Sequence, residues 1–258
     1  MVARSVAPSE FGLFALIFAA YVLLLGTSRS LSTDPLIVRF GASEWAQLRG
    51  RAVLALGTAL GFGTICALAG GLIIFMLDVV LGMSFHGAPF YLLAASLPGL
   101  LLEDALRYVF FARRAPRSAL VVDASAAVAL ALAFLWIALG NTRSLSWFVA
   151  AWGVSGLVSA AVGLRLGRLW PRIGGMRRWL AAQRDLSSRY LGEFIALSGS
   201  QLLVLYFLAF VTSLPEVAAL RGGQMLMTPV MVLFAGVGPI AVPELIHVRA
   251  RSRRSFER

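Results

Sequence analysis

Lysine is absent from this chain: all 23 basic residues are arginine. Cysteine and histidine are nearly absent as well. The single cysteine, Cys66, excludes an internal disulfide and, within an apolar run, reads as a small buried hydrophobe. The two histidines, His86 and His247, lie far apart and make no metal-ligand spacing with each other or with Cys66. No nucleophile is paired with a histidine, and no glycine loop of the phosphate-cradling kind occurs. Neither an enzyme nor a bound metal or cofactor is therefore expected. With no ATP-binding module, any transport would be secondary or facilitated.

Charge is the other scarcity. Only 14% of the 258 residues are charged, against about 25% in a typical soluble domain. What fills the space is apolar: 59% of residues are hydrophobic and the mean hydropathy is +0.84. This composition points to an integral membrane protein. The net charge of +11 would suggest nucleic acid only if it formed a basic face on a soluble module, and none is present, so no nucleic-acid partner is expected.

A spanning helix needs about 20 mainly apolar residues. Seven such stretches can be read, at 10–27, 53–81, 90–111, 119–139, 147–166, 191–213 and 218–245. The fold class expected is thus all-α, a polytopic membrane bundle of about seven transmembrane helices. Arginine placement orients it: 20 of the 23 arginines fall at alternate ends of these spans and in the tail, and only Arg4, Arg143 and Arg221 fall on the other side. By the positive-inside rule the arginine-rich side is cytoplasmic, with the C-terminus inside a plasma (inner) membrane and the N-terminus outside. Arg29, Arg39, Arg49 and Arg51 fall in the loop region after the first span, and Arg113, Arg114 and Arg117 are read mainly as topology determinants beside anionic lipid headgroups.

Three passages resemble a known family. "ARSVAPSEFGLFAL" (3–16) is similar to the junction between the first and second helices of polysaccharide flippases. "ASLPGLLLEDALRYVFFARRAPRSALVVDASAAV" (95–128) resembles their fourth and fifth helices, and "LRGGQMLMTPVMVLFAGVGPIAVPEL" (220–245) resembles the eighth. These are the O-antigen-type transporters of lipid-linked oligosaccharides, in the multidrug/oligosaccharidyl-lipid/polysaccharide exporter superfamily. The resemblance implies two helical lobes around a cleft, alternating access, a lipid-linked glycan as substrate, and glycan assembly proteins as partners. It divides the chain into 1–168, five helices of a first lobe; 169–190, a basic cytoplasmic linker able to hold an interfacial helix; and 191–258, two helices of a second lobe with a basic tail. On that division the isolated chain is expected to lack a complete transport pathway. Two other functions stay open: a non-transporting truncated or accessory component of a glycan assembly complex, and a small-molecule exporter of the same superfamily. A cation exporter should carry unpaired acids in its cavity, and a flippase arginines.

The residues singled out for function are the few charges and amides at membrane depth. Glu103 and Asp104 precede Arg107 by four and three residues, which places all three on one helix face, and Asp123 follows across a short hairpin. Charges at such depth need partners or a wet cavity. The four form either a self-satisfied ion network or a gate. Arg221 is placed to meet lipid headgroups or a pyrophosphate at the outer mouth. Gln201 and Gln224 either bond neighbouring helices or line a cavity. Glu193 is read as favouring a helix N-terminus. The glycine pairs Gly57/Gly61 and Gly163/Gly167 permit close helix approach.

Overall fold

The computed structural model describes residues 6–80, 87–140, 144–225 and 227, and these form helices without a strand among them. In chain order they are α1 (Pro8–Leu31), α2 (Thr33–Phe40), α3 (Trp45–Val80), α4 (Ala88–Ala112), α5 (Pro116–Leu139) and α6 (Leu145–Gly167). A single 3₁₀ turn then leads into α7 (Met176–Phe194), which passes through a π turn (Ile195–Gly199) into α8 (Ser200–Val211). A ninth helix, α9, occupies 214–225. Six of the helical stretches are long and apolar enough to cross a membrane. They match the first six expected spans; most of the seventh, at 218–245, lies outside the described residues.

The bundle is apolar on the outside. Leu68, Leu72 and Ile73 of α3, Leu132 and Leu135 of α5, and Phe207 and Phe210 of α8 are all exposed. Water would not tolerate such belts on a soluble protein, and lipid does. The chain is a multi-pass, all-α membrane protein.

The helix carrying most of the deep charge takes the centre. In the most apolar 18-residue stretch of α4, 72% of residues are buried, against 11% in the corresponding stretches of α3 and α5. A charged helix is costly against hydrocarbon, so its polar face turns inward and the purely apolar helices take the lipid side. Around α4 the core has two main parts. One joins Leu36, Leu56, Leu106, Phe110, Val122 and Trp179; the other joins Ile17, Tyr21, Leu97, Leu101 and Val149. Despite Pro98 within it, α4 runs unbroken from 88 to 112.

Both glycine pairs are contact points. A Cβ on Gly57 would stand 2.2 Å from the Arg172 carbonyl oxygen, and one on Gly61 would meet the Met176 sulfur at 2.9 Å. The Arg172 N–H also donates to the Val53 oxygen at 3.2 Å. This seats the turn before α7 on α3. Gly163 and Gly167 accept Leu106 and the Phe110 ring in the same way.

The stretch expected as a basic linker is largely this helix α7, and it packs against the bundle. Trp179, Gln183 and Ser187, four residues apart, form a buried stripe. The Trp179 Nε1–H donates to the Leu31 carbonyl at 3.0 Å, and Arg39 of α2 donates to the Ala182 carbonyl, the Gln183 amide oxygen and the Asp185 carboxylate. At the far end of α8, the Ser213 backbone N–H donates to Glu216 Oε2 at 2.8 Å and opens α9. That bond holds the exposed Glu216 carboxyl below its ordinary range.

Candidate functional site

The helix α1 continues past its apolar run and carries Arg29 in its last turn. Thr27 Oγ1 donates to the Leu23 carbonyl, Ser30 Oγ to Gly26, and Ser32 Oγ to Ser28. Each hydroxyl is satisfied by a carbonyl of α1, and the chain stays helical to Leu31 although hydropathy falls from Thr27 onward. Arg29 is therefore not a loop residue marking topology, as its position after the first apolar run suggested. Its Nε and Nη2 donate to Asp104 Oδ2 and Oδ1 at 2.8 and 2.6 Å, a bidentate pair between α1 and α4. Its guanidinium carbon lies 4.9 Å from the centre of the Tyr108 ring.

Arg107 holds the other half of the network. It donates through Nε to Asp123 Oδ1 and through Nη2 to Glu103 Oε1, both at 2.6 Å, and its Nη1 stands 3.5 Å from Asp104 Oδ1. The two partners suggested by helical spacing, Glu103 and Asp104, and the one across the hairpin, Asp123, are thus engaged together. Asp104 is the shared acceptor, only 3% exposed, and it joins the two arginines. The network ties α1, α4 and α5 with two arginines against three carboxylates.

Beside Arg29 lies a cleft of about 480 Å³, within the range of small-molecule sites. One wall is a face of α1: Val22, Leu25, Gly26 and Arg29. The other is a face of α7 and the π turn: Tyr190, Glu193, Phe194 and Leu197. Each set is spaced by three, four and seven residues, so two helices present matching stripes to each other. Asp34, in the first turn of α2, adds a second carboxylate. The Phe194 ring fills the place of a Gly26 side chain, at 2.1 Å from an ideal Cβ. A π turn leaves backbone bonding irregular and recurs at functional sites, and here it borders the cavity.

Toward the arginine-poor end the same two layers close. Ala15 and Ala19 pack against Leu205 and Val217. The Tyr206 hydroxyl donates to the Leu16 carbonyl at 2.8 Å. An ideal Cβ on Gly12 would fall 2.1 Å from the Leu214 oxygen. Small residues at 12, 15 and 19 allow this contact, whereas Val22 and Leu25 line open space.

The remaining expected site residues fall elsewhere. Arg221 donates to Gln224 Oε1 at 2.9 Å and stacks 5.1 Å over the Phe18 ring; neither it nor Gln224 lines the cleft. Their spacing of three residues makes them a local pair on α9, with the arginine's guanidinium lying over an aromatic ring. Gln201 is exposed on α8, away from the cleft lining. Glu193 is not at a helix start, because α7 begins at Met176 and continues through the π turn; it faces the cleft instead. No group of acidic, histidine or cysteine residues suited to a metal occurs among the described residues.

Compared with family models, curated proteins and solved structures, the chain gives no match. What fold and site define is the class: a polytopic membrane helix bundle with a charged cleft between its first helix and α7–α8.

Proposed function

We propose that the protein is an alternating-access membrane transporter, resembling the flippases that move lipid-linked oligosaccharide or polysaccharide precursors across the plasma membrane. One observation carries this reading. The cleft between α1 and α7–α8 is open at the level of Val22 to Asp34 and shut at the level of Gly12 to Ala19. A cavity closed at one end by small-residue contacts, and bordered by an irregular turn, has the form an inward-facing state requires. The arginine-rich side is then cytoplasmic. A headgroup enters beside Arg29 while the lipid tail stays in the bilayer.

A second reading, export of small amphipathic molecules, draws support from the cleft's two carboxylates, Asp34 and Glu193, which outnumber its one arginine. A lipid-linked oligosaccharide carrying a diazirine on its sugar distinguishes the first reading from a scaffold role. Illumination of the purified chain is expected to label residues 22–34 and 190–198. Labelling confined to the lipid-facing surfaces of α3 and α5 would contradict transport of a headgroup through the cleft.

A further inference from the structure

We infer that the turn joining α6 to α7 is a docking surface for anionic phospholipid headgroups, of the phosphatidylglycerol kind, at the inner edge of the bilayer. None of its residues lines the cleft, so the inference is independent of the transporter reading.

Two lipid-facing surfaces end at this turn. On α3 no residue from 52 to 64 is exposed; exposure begins at Ile65 and runs on through Leu68, Leu72 and Ile73. The turn covers part of the shielded stretch, with the Arg172 carbonyl against Gly57 and the side chains of Ile173 and Met176 against Gly61. Gly61 is one helical turn from Ile65. On α6 the exposed stripe Val154, Leu157, Val158 and Ala161 ends in Arg165 and Leu166. The turn thus sits where both apolar belts stop. It keeps its own apolar groups outside: Trp170 is 70% exposed and Ile173 49%. An exposed tryptophan at that level belongs among headgroups.

The same segment carries Arg165, Arg168, Arg172, Arg177 and Arg178, all exposed. None of their guanidiniums makes a salt bridge among the described residues. Arg49 of α3 joins them, donating to the Arg168 carbonyl at 3.2 Å. The sequence supplies no compensation, since no acidic residue stands between Asp123 and Asp185. Guanidiniums gathered without a counter-charge repel one another, and the phosphodiester of an anionic lipid offsets that repulsion through charge-assisted hydrogen bonds. A zwitterionic choline lipid offers the same phosphate but brings its own cation among the arginines. A water-soluble acidic partner would leave Trp170 and Ile173 unexplained, because their surface is continuous with the lipid-facing belt of α3.

Quenching of Trp170 fluorescence by brominated lipid tests the surface. The full chain is reconstituted in phosphatidylcholine vesicles, into which acyl-brominated phosphatidylglycerol or acyl-brominated phosphatidylcholine is titrated. Trp170→Phe, measured in parallel, subtracts the other tryptophans. The remaining signal is expected to be quenched by both lipids, with phosphatidylglycerol preferred about fivefold, the effect of about one arginine engaged at an anionic leaflet. Arg168→Gln, Arg172→Gln and Arg177→Gln together are expected to remove the preference and leave the quenching. Arg113→Gln with Arg117→Gln, at the turn between α4 and α5, is expected to keep the preference. Equal quenching by the two lipids in the unaltered chain would overturn the inference, and that comparison stands even if a variant fails to fold. A preference that survives the triple change would place the lipid elsewhere and overturn it as well. Absence of Trp170 quenching by either lipid would put the turn outside the bilayer, with the same consequence.

Discussion

Replacing Asp104 with alanine is expected to be the most damaging single change in the bundle. The carboxylate is almost wholly buried and serves two arginines, Arg29 in α1 and Arg107 in α4. Arg107 keeps Glu103 and Asp123, but Arg29 loses both of its hydrogen bonds. Breaking a buried ion pair from one side leaves an uncompensated charge and costs about 3–5 kcal/mol. The pair Arg29→Met with Asp104→Leu removes both charges and is expected to recover most of that loss. Unfolding in detergent measures each variant. The shared-acceptor account fails if Asp104→Ala is no worse than alanine at the exposed Asp185, or if the double variant is as unstable as the single one.

Gly12→Ala is expected to follow in size. Its new methyl group would overlap backbone of residue 214, which cannot rotate aside as a side chain would. Overpacking of this kind costs about 1–3 kcal/mol, and here the strain is relieved by parting α9 from α1. The variant should lose stability and open the closed end of the cleft together. Gly50→Ala is the control, since nothing lies within 4 Å of its Cβ position; it should be neutral or slightly stabilising. Equal behaviour of the two variants in unfolding assays would mean that α1 and α9 do not touch at Gly12.

Six of the spans were legible in the sequence because twenty apolar residues in a row admit few other structures. The pairing of Arg107 was legible for a similar reason. Spacings of three and four residues fix neighbours on a helix, and the turn at 113–115 is too short to carry Asp123 far away. The bond between Arg29 and Asp104 was not, because their 75-residue separation leaves no local trace. Hydropathy also ends the first span near Thr27, while the helix runs on to Leu31 with the hydroxyls of Thr27, Ser30 and Ser32 bonded to its own carbonyls. Glu193 was misplaced for the complementary reason: α7 starts in an arginine-rich stretch that reads as a linker separate from the sixth span, whereas the helix is continuous through Glu193. Gln201 and Arg221 were chosen by depth alone, and depth does not say which face of a helix meets the cleft.

The account turns on one geometric claim, that α1 and α7–α8 enclose a wet cleft open toward the arginine-rich side and sealed toward the other. Single cysteines at Leu25 and Ala15, in a Cys66→Ala background, test it most directly. Reaction with a membrane-impermeant maleimide is followed in vesicles of each orientation, with Arg184→Cys as the marker of the arginine-rich side. The account predicts that the cysteine at 25 reacts from the same side as the cysteine at 184, and that the cysteine at 15 reacts from neither. A cysteine at 25 inert from both sides, or one at 15 that reacts as readily as the one at 25, would contradict it.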